Sequence, residues 1–230
     1  MAAPSSPPVS RSEPAVVSPA ARQRRKQSRP QELLAAALEL FVEKGFAATR
    51  TEEVAARAGV SKGTLYLYYP SKQDLFKAVV RECLVAQIHE AAALSAQHQG
   101  PVAELLGQVL QAWWQRVGQS TAGGIAKIMV AEARNFPELA AFYTEEVILP
   151  IQALLVGLIE RGVARGEFRP VPVEATVHVL IGPILHMILY QHSFAACACG
   201  GPTIEPAAVL EVQLDLMLRG LLAPAVAGPT

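Results

Sequence analysis

Three helix-ending signals lie close together near the start of the chain, and they limit the fold more than any other feature. They are Gly45, Gly59 and Pro70, and each follows a short apolar pattern of helical period. Apolar residues recur every three or four positions over residues 30–44, which predicts an amphipathic helix. Helices interrupted at this spacing are short and must pack on one another to bury their apolar faces.

The second and third predicted helices are joined by a tight turn, Ala58-Gly59-Val60-Ser61. The second begins near residue 50: Thr49 and Glu52 match a capping box, and Thr51 is the alternative cap. The third covers residues 62–69, with the serine of the turn as its cap. Two short helices joined by a glycine-containing turn of this length are typical of a helix-turn-helix.

The remainder of the chain has the same helical period, with no strand-like alternation and no repeat. Further helices are predicted over residues 71–95, 101–118, 123–134, 137–165 (with a kink at Pro150), 173–193 and 205–222. The predicted fold class is therefore all-α, with an N-terminal three-helix domain and a larger C-terminal helical domain. The predicted boundaries are 1–28 for a disordered basic tail, 29–75 and 76–223 for the two domains, and 224–230 for a disordered tail.

Charge is unevenly distributed, although the formal net charge is zero. Residues 1–75 hold 11 Lys or Arg against 7 Asp or Glu, and the remainder holds 9 against 13. The densest basic cluster, between Arg22 and Arg29, directly precedes the first predicted helix. A basic N-terminal part favours contact with a polyanion, and a flexible basic arm can add phosphate or minor-groove contacts. A solvated tail is the alternative for this cluster.

Composition excludes several classes of protein. With 51% hydrophobic residues among 230, the chain can bury a core without disulfides or metals. Its three cysteines, Cys83, Cys197 and Cys199, are too few, and uneven in number, for a secreted disulfide scaffold. The N-terminus lacks the apolar core of a signal peptide, and the most apolar stretch, residues 177–190, is short for a membrane span. We expect a cytoplasmic protein without membrane contact.

The start of the third helix carries the residues best suited to nucleic acid. Ser61-Lys62-Gly63-Thr64 is small, polar and basic, as the first turn of a helix entering a major groove requires. Its glycine permits close backbone approach, and its threonine can donate to phosphate or contact a thymine methyl. Tyr66 can reach a phosphate through its hydroxyl, with packing as the equal alternative. Lys72 adds positive charge at the next helix N-terminus, where an anion is favoured.

The pattern around these residues resembles the TetR/AcrR family of bacterial transcriptional regulators. The resemblance rests on TEEVA at 51–55, AGVSKGTLY at 58–66 and YYPSKQDLF at 68–76. Tyr69 departs from it, because family members often have phenylalanine there. A second pattern, EARNFPEL at 132–139 followed by Phe142 and Tyr143, is similar to the AefR-like branch of C-terminal domains.

The resemblance implies a homodimeric regulator with a DNA-binding domain over 29–75 and a ligand-binding and dimerisation domain over 76–223. Such a protein represses transcription from a double-stranded, palindromic operator. It releases that operator when a small hydrophobic or amphipathic effector binds, with the helix over 71–95 transmitting the change. An activator and a sequence-nonspecific architectural DNA-binding protein are the alternatives. The residues implied to contact DNA are Thr49, Arg50, Thr51, Lys62, Gly63, Thr64, Tyr66, Tyr68 and Lys72.

Two further sets of residues are predicted in the C-terminal domain. The effector-pocket set consists of aromatic, methionine and histidine side chains, for each of which core packing is the alternative: Trp113, Met129, Phe142, Tyr143, His178, His186 and Tyr190. The dimer-interface set comes from the last two helices, whose apolar surface exceeds what one helix pair can hide. Its members are Leu180, Ile184, Ile188, Leu210, Leu214, Met217 and Leu221.

No catalytic residue, cofactor or metal site is expected. The sequence contains no nucleophile–base pair, phosphate-binding glycine loop or run of metal ligands, so an enzyme is disfavoured. Cys197 and Cys199, with His192 as a third member, could bind metal or sense oxidants. The two cysteines are spaced more closely than zinc ligands usually are. A mobile pair without function is favoured for these cysteines. His178 and His186 lie on nearly one helix face, which favours packed or pocket-lining histidines.

Overall fold

The computed structural model describes the backbone of residues 19–195 and 205–224 and the side chains of residues 29–195 and 205–224. This part of the chain is almost entirely helical, which confirms the all-α class, and its one extended pairing is a bridge between Phe168 and Leu222. The helices are α1 (Pro19–Lys44), α2 (Thr51–Arg57), α3 (Lys62–Tyr68), α4 (Lys72–Val80), α5 (Ala86–Gln97), α6 (Val102–Trp113), α7 (Gly124–Glu132), α8 (Pro137–Tyr143), α9 (Leu149–Ala164), α10 (Val173–His192) and α11 (Pro206–Leu221). A π-helical turn at Arg81–Val85 joins α4 to α5, and another at Thr144–Ile148 joins α8 to α9. A third, at Trp114–Gly118, extends α6, and a 3₁₀ turn at Thr121–Gly123 precedes α7.

The first helix is longer than the sequence pattern predicted. Residues 19–28 are helical in the structure, so the prediction of a disordered tail is wrong for them. This stretch is rich in Ala, Arg, Gln and Lys, which have high helix propensity. Pro19 suits the first turn, because an N–H group there has no partner within the helix. Pro30 lies inside α1 without ending it. The disorder predicted for residues 1–18 and for most of the C-terminal tail concerns positions outside the described ranges.

The predicted serine cap of α3 is confirmed, and α4 begins with a serine cap of the same kind. The Ser61 Oγ accepts a hydrogen bond from the Thr64 N–H at 3.1 Å. The Ser71 Oγ accepts one from the Asp74 N–H at 3.0 Å and donates to the Asp74 carboxylate at 2.7 Å. Each serine therefore satisfies a backbone donor that the helix itself leaves unpaired.

The predicted threonine cap of α2 is wrong. Arg50 is the N-cap residue, and the Glu53 carboxylate accepts its backbone N–H at 3.4 Å. The side chain of Thr49 is buried and turned towards α1, so it cannot reach the free N–H groups of α2. Thr51 is already the first helical residue.

Two clusters of buried apolar side chains hold the helices together, and the first crosses the predicted domain boundary. It joins α1–α4 to α7 and α8. The rings of Phe41, Phe46 and Phe76 lie with their centroids 5.2–5.6 Å apart, and Phe136 meets Phe46 edge-on at 4.8 Å. Such ring pairs add about 0.5–1.5 kcal/mol each beyond area burial. The N-terminal helices and the α7–α8 pair are therefore packed as one unit.

The second cluster occupies the other end of the molecule and is built from α6, α9, α10 and α11. Trp113 and Ile151 pack against both clusters and link them. The helix predicted over 71–95 is present as α4 and α5 with a π-helical turn between them. The segment predicted over 137–165 is interrupted just before Pro150, whose ring and missing N–H disfavour a regular helix there.

The face of α10 and α11 chosen for the predicted dimer interface is wrong. Six of its members, Leu180, Ile184, Ile188, Leu210, Leu214 and Leu221, are buried in the chain's own core, and Met217 is half-buried. Other apolar side chains of these helices are exposed instead: Val179, Leu185, Val212 and Leu216. Both helices are apolar on more than one face, so periodicity does not say which face turns inward.

Two segments of the described chain are long and apolar enough to cross a membrane by length and composition alone. They are Pro137–Ala164 and Val173–His192, and the second contains the apolar stretch of residues 177–190 noted in the sequence. Core helices of folded domains have the same composition. Leu155 and Leu158 of α9 and Val177 of α10 are buried in the second cluster, so both helices serve here as core elements.

One close contact within the second cluster yields a stability prediction. Gly162 of α9 lies against the fully buried ring of Phe168, and a Cβ at Gly162 would overlap that ring. We expect Gly162→Ala to lower the free energy of unfolding by about 1–3 kcal/mol, because the ring or the helix must move. Urea unfolding followed by circular dichroism measures the change.

Gly157→Ala in the same helix is the matched control, because a Cβ there meets no atom within 4 Å. Alanine should raise the free energy of unfolding by about 0.5–1 kcal/mol at an open helical position. Equal destabilisation by the two variants would contradict the packing explanation.

Candidate nucleic-acid interface and effector cavity

The turn between α2 and α3 depends on the backbone of Gly59. This residue has φ +64°, a conformation that residues with a side chain rarely adopt. The Val60 N–H then bonds to the Ala55 carbonyl at 2.9 Å and closes the turn. Val54 and Leu65 are fully buried and hold the two helices against α1. The predicted helix-turn-helix geometry is present.

The first turn of α3 presents small polar and basic groups to solvent. Ser61, Lys62 and Gly63 are exposed, and Thr64 is half-buried with its hydroxyl 2.9 Å from that of Ser61. In a helix-turn-helix this turn is the part of the second helix that reaches base edges. The position predicted for DNA contact is therefore open in the structure.

Two side-chain pairs connect α2 to α3. The Lys62 ammonium lies 2.5 Å from the Glu52 carboxylate, and the hydroxyls of Thr51 and Tyr66 lie 2.9 Å apart. The Lys62 hydrogen bond lowers the pKa of Glu52, and Glu52 in turn raises the pKa of Lys62. Both charged side chains are exposed, so the pair adds little stability and Lys62 can exchange Glu52 for a phosphate at small cost. Thr51 itself is buried, so its hydroxyl positions Tyr66.

Thr49 does not face the surface that would meet DNA. Its side chain is 2% exposed, and its hydroxyl lies 3.1 Å from the Leu40 carbonyl and 2.7 Å from the Gly45 carbonyl. These contacts close the corner between α1 and α2. The prediction that the Thr49 side chain touches phosphate does not fit this position.

Lys72 is likewise turned into the protein. Its ammonium donates to the carbonyls of Phe46, Ala47 and Thr49 at 2.8, 3.0 and 3.1 Å, and it lies 4.6 Å from the centre of the Phe46 ring. Burial lowers the pKa of Lys72, and the charge of Glu132 opposes this effect. All three ammonium protons have protein acceptors, so Lys72 holds the α1–α2 corner instead of clamping a DNA backbone as predicted.

Three other side chains complete the outer surface of the helix-turn-helix. Arg50 is exposed beside the start of α2, as predicted. Tyr68 is half-buried and packs on the first cluster, with its ring 6.5 Å from that of Tyr69. Leu67 is 80% exposed on α3 and was not singled out from the sequence. The helical period predicts this exposure, because an apolar residue between Leu65 and Tyr69, which point inward, lies outside the buried face of the helix.

A cavity of about 440 Å³ lies in the C-terminal domain between α6, α7, α9 and α10. Its walls are mainly aliphatic, and its lining contains no Lys, Arg, Asp or Glu. Polar groups enter it from Tyr143, Thr144, Gln152 and His178. Burial raises the pKa of the Tyr143 phenol to about 12, so this hydroxyl stays protonated and able to donate. A lining of this kind suits an apolar molecule with few polar atoms.

Four of the seven residues predicted for the effector pocket line this cavity: Trp113, Met129, Tyr143 and His178. The other three do not. Phe142 is buried on the opposite side of α8, with the Arg81 guanidinium 4.9 Å and the Lys77 ammonium 5.5 Å from its ring centre. His186 is exposed on α10, and Tyr190 stacks 6.5 Å from it. Helical spacing identified the aromatic residues but not the side of each helix that faces the cavity.

The helix that forms one cavity wall also touches the corner between α1 and α2. Met129 and Ala133 line the cavity, and Glu132 between them accepts a hydrogen bond from the Ala47 N–H at 3.2 Å. Asn135 donates to the other Glu132 oxygen at 3.1 Å and orients the carboxylate. A molecule bound in the cavity against α7 would therefore push on a helix that is hydrogen-bonded to the helix-turn-helix domain.

A second set of contacts joins α4 and its π-helical turn to the α8–α9 segment. The Gln73 amide donates to the Glu138 carboxylate at 2.5 Å. The Arg81 guanidinium makes a two-point contact with Glu146, with N···O distances of 2.8 and 2.5 Å. Arg81 lowers the pKa of Glu146, and Glu146 raises that of Arg81. Bidentate pairs of this type fix orientation as well as distance.

No group of three or more His, Cys, Asp or Glu side chains capable of holding a metal lies within the described ranges. Cys197 and Cys199 lie outside those ranges, so their role stays a prediction. Cys83 is half-buried on the π-helical turn after α4, and burial raises the pKa of its thiol to about 11. The protonated thiol is a poor nucleophile at neutral pH.

Both parts of the chain match sequence models of one family. Residues 33–79 match the model described as bacterial regulatory proteins, tetR family. Residues 96–196 match the model of a tetracyclin repressor-like C-terminal domain. The similarity of residues 132–143 to the AefR-like branch is a finer prediction that this second match does not test.

The chain is similar to two bacterial regulators over most of its length. YdeS of Bacillus subtilis, an HTH-type transcriptional regulator, is 27% identical over 176 residues, which cover 71% of this chain and 83% of YdeS. KstR2 of Mycolicibacterium smegmatis, an HTH-type transcriptional repressor, is 28% identical over 144 residues, which cover 62% of this chain and 69% of KstR2.

The fold is shared with a solved regulator. The crystal structure of FadR from Bacillus subtilis in complex with stearoyl-CoA matches with a TM-score of 0.68 at 21% identity, covering 83% of this chain and 98% of the FadR chain. The helix-turn-helix of α2 and α3, the all-helical domain behind it and the two sequence matches lead to one conclusion. The chain belongs to the TetR family of bacterial transcriptional regulators.

Proposed function

We propose that the protein is a homodimeric, cytoplasmic repressor that binds a palindromic operator and releases it when an amphipathic effector enters the 440 Å³ cavity. One observation carries this proposal: Met129 and Ala133 line the cavity, and Glu132 between them bonds to the corner of the helix-turn-helix domain. An effector that changes the position of α7 therefore changes the free energy of DNA binding. An activator would use the same coupling with an operator placed differently.

The DNA-binding part of the proposal is supported by the exposed first turn of α3. Lys62 and Gly63 lie open to solvent there, and Arg50 is exposed beside them at the start of α2. Selection from random DNA, followed by competition with unrelated sequence, tests this part. We expect the selected DNA to be enriched in one palindromic sequence that unrelated DNA does not displace. Equal affinity for all sequences would instead identify an architectural, nonspecific DNA-binding protein.

Removing the Lys62 charge should weaken operator binding. We expect Lys62→Ala to cost about 1–3 kcal/mol in binding free energy, because a lysine at this turn contacts base edges or phosphate. Fluorescence anisotropy with the selected operator measures the change. Arg165→Ala, which removes one positive charge from the end of α9, is the control and should bind normally. Unchanged operator affinity in Lys62→Ala would exclude α3 as the recognition helix.

A dimer is supported by the exposed apolar side chains of the last two helices. Val179 of α10 and Val212 and Leu216 of α11 leave an apolar surface that water solvates poorly. A two-fold axis through such a surface repeats the same patch on both subunits. It would also place two recognition helices about 34–36 Å apart, the distance between successive major grooves on one face of DNA.

A charge in this patch should dissociate the dimer. Leu216 is 65% exposed on α11, so Leu216→Asp should leave the fold of one chain intact while opposing burial against a second chain. Sedimentation equilibrium is expected to give a monomer. Leu149→Asp places the same charge at an exposed apolar position of α9 and should remain dimeric. A dimer of undiminished affinity in Leu216→Asp would place the interface elsewhere.

The cavity lining indicates the chemical class of the effector. The absence of charged side chains from the lining disfavours a multiply charged molecule held inside it. Tyr143, Gln152 and His178 offer hydrogen-bonding groups to a small polar head group. We therefore propose a straight-chain fatty acid or a similar molecule. FadR, which shares the fold, was solved with stearoyl-CoA, so an acyl chain can be accommodated by this architecture.

Removing the Glu132 carboxylate should uncouple the cavity from the helix-turn-helix domain. With myristate as the effector probe, we expect Glu132→Ala to reduce the coupling free energy by about 0.5–2 kcal/mol. Operator affinity measured with and without myristate gives this quantity directly. Glu145→Ala, at an exposed position on the neighbouring π-helical turn, is the control. Full release of operator from Glu132→Ala by myristate would contradict the proposed route.

A further inference from the structure

A second, smaller cavity of about 130 Å³ lies beside the larger one, between α5, α6, α9 and α10. Four side chains line both cavities: Trp113 of α6, Ile151 of α9, and Ile181 and Ile184 of α10. The two spaces therefore share these four side chains in their walls. Changing this shared wall would change the space available to anything bound in the larger cavity.

Trp113 is the largest of the four shared side chains. It is half-buried, and it packs against both hydrophobic clusters of the protein, as Ile151 does. An indole ring fills more of the shared wall than any isoleucine, so its removal opens the most space. Its neighbour Trp114, by contrast, is buried in the second cluster and lines neither cavity.

The smaller cavity is suited to the end of an apolar chain. Its inner walls come from aliphatic side chains such as Ile88, Leu110 and Leu155. The one cation in its lining, Arg116, is already paired with Glu90 at 2.5 Å and bonded to Gln87 at 3.1 Å. Because this charge is neutralised by protein groups, the cavity offers no partner to an anionic head.

We propose that Trp113 divides one elongated binding site and sets the longest acyl chain that the protein accepts. This inference rests on the proposed fatty-acid effector. The polar head lies at the larger cavity, near Gln152 and His178, and the chain runs towards Trp113. At roughly 30 Å³ for a water-sized group, the 130 Å³ beyond Trp113 holds about four further chain carbons. Trp113 is thus a specificity-determining residue for effector length.

The test is a chain-length series on the full-length protein. Saturated straight-chain fatty acids from octanoate to stearate are titrated against a bound fluorescent fatty acid. For the unaltered protein, affinity should rise about fourfold per methylene group until the chain meets Trp113, and then stop rising. In Trp113→Ala the rise should continue for about four more carbons.

Adding Ala91→Phe to Trp113→Ala is the matched control, since Ala91 lines only the smaller cavity. Refilling that space should restore the original length limit. Circular dichroism checks that each variant folds, and Trp113→Leu replaces Trp113→Ala if the latter does not.

Three results would overturn the inference, and they are distinguishable. The same length limit with and without the indole would remove the role of Trp113 while leaving the effector class intact. A longer limit that Ala91→Phe fails to reverse would show general loosening instead of a divided site. No binding of any fatty acid to the unaltered protein would overturn the proposed effector class, and this inference with it.

Discussion

The arrangement of the DNA-binding domain depends on the clamp that Lys72 makes at the corner between α1 and α2. Its bonds to the carbonyls of Phe46 and Thr49 are partly buried, and its bond to the Ala47 carbonyl is exposed. Leaving a buried carbonyl unpaired costs about 1–3 kcal/mol. By donating to all three, the first residue of α4 ties the start of α2 to the helix that leads into the C-terminal domain. The orientation of α3 follows from this corner.

The same corner is where the two domains meet. Phe46 packs against Phe136 from the segment before α8, and Ala47 donates to Glu132 at the end of α7. Apolar contact and hydrogen bonding thus join one short loop to an element that also forms a cavity wall. A packed junction of this kind has few intermediate arrangements, which is the property that the proposed coupling between the cavity and the helix-turn-helix requires.

The same helices of the C-terminal domain line the cavity on one face and form the outer surface on another. On α10, Ile184 faces the core and both cavities, whereas Val179 and His186 face outward. One helix therefore lines a cavity on one side and forms an exposed surface on another. This double use explains why α10 is apolar nearly all round, the composition that also makes it long and apolar enough to resemble a membrane span.

The sequence by itself determined the class of fold, the position of the helix-turn-helix and the cap of α3. These features are local: a glycine at positive φ, a serine three residues before its N–H donor and a proline after a helix act over a few residues. The pattern also identified the residues of α3 that lie exposed, such as Lys62 and Gly63.

Only the tertiary structure decided which polar groups were already used by the protein. Thr49 and Lys72 have the residue types of phosphate contacts, yet both bond to carbonyls of the protein itself: Thr49 to those of Leu40 and Gly45, and Lys72, from the start of α4, to three carbonyls between α1 and α2. It also decided which face of α10 and α11 turned inward, burying Leu180 and Leu214 and leaving Val212 and Leu216 outside. Periodicity gives the spacing of an apolar face, but contacts between residues far apart in the chain determine where that face points.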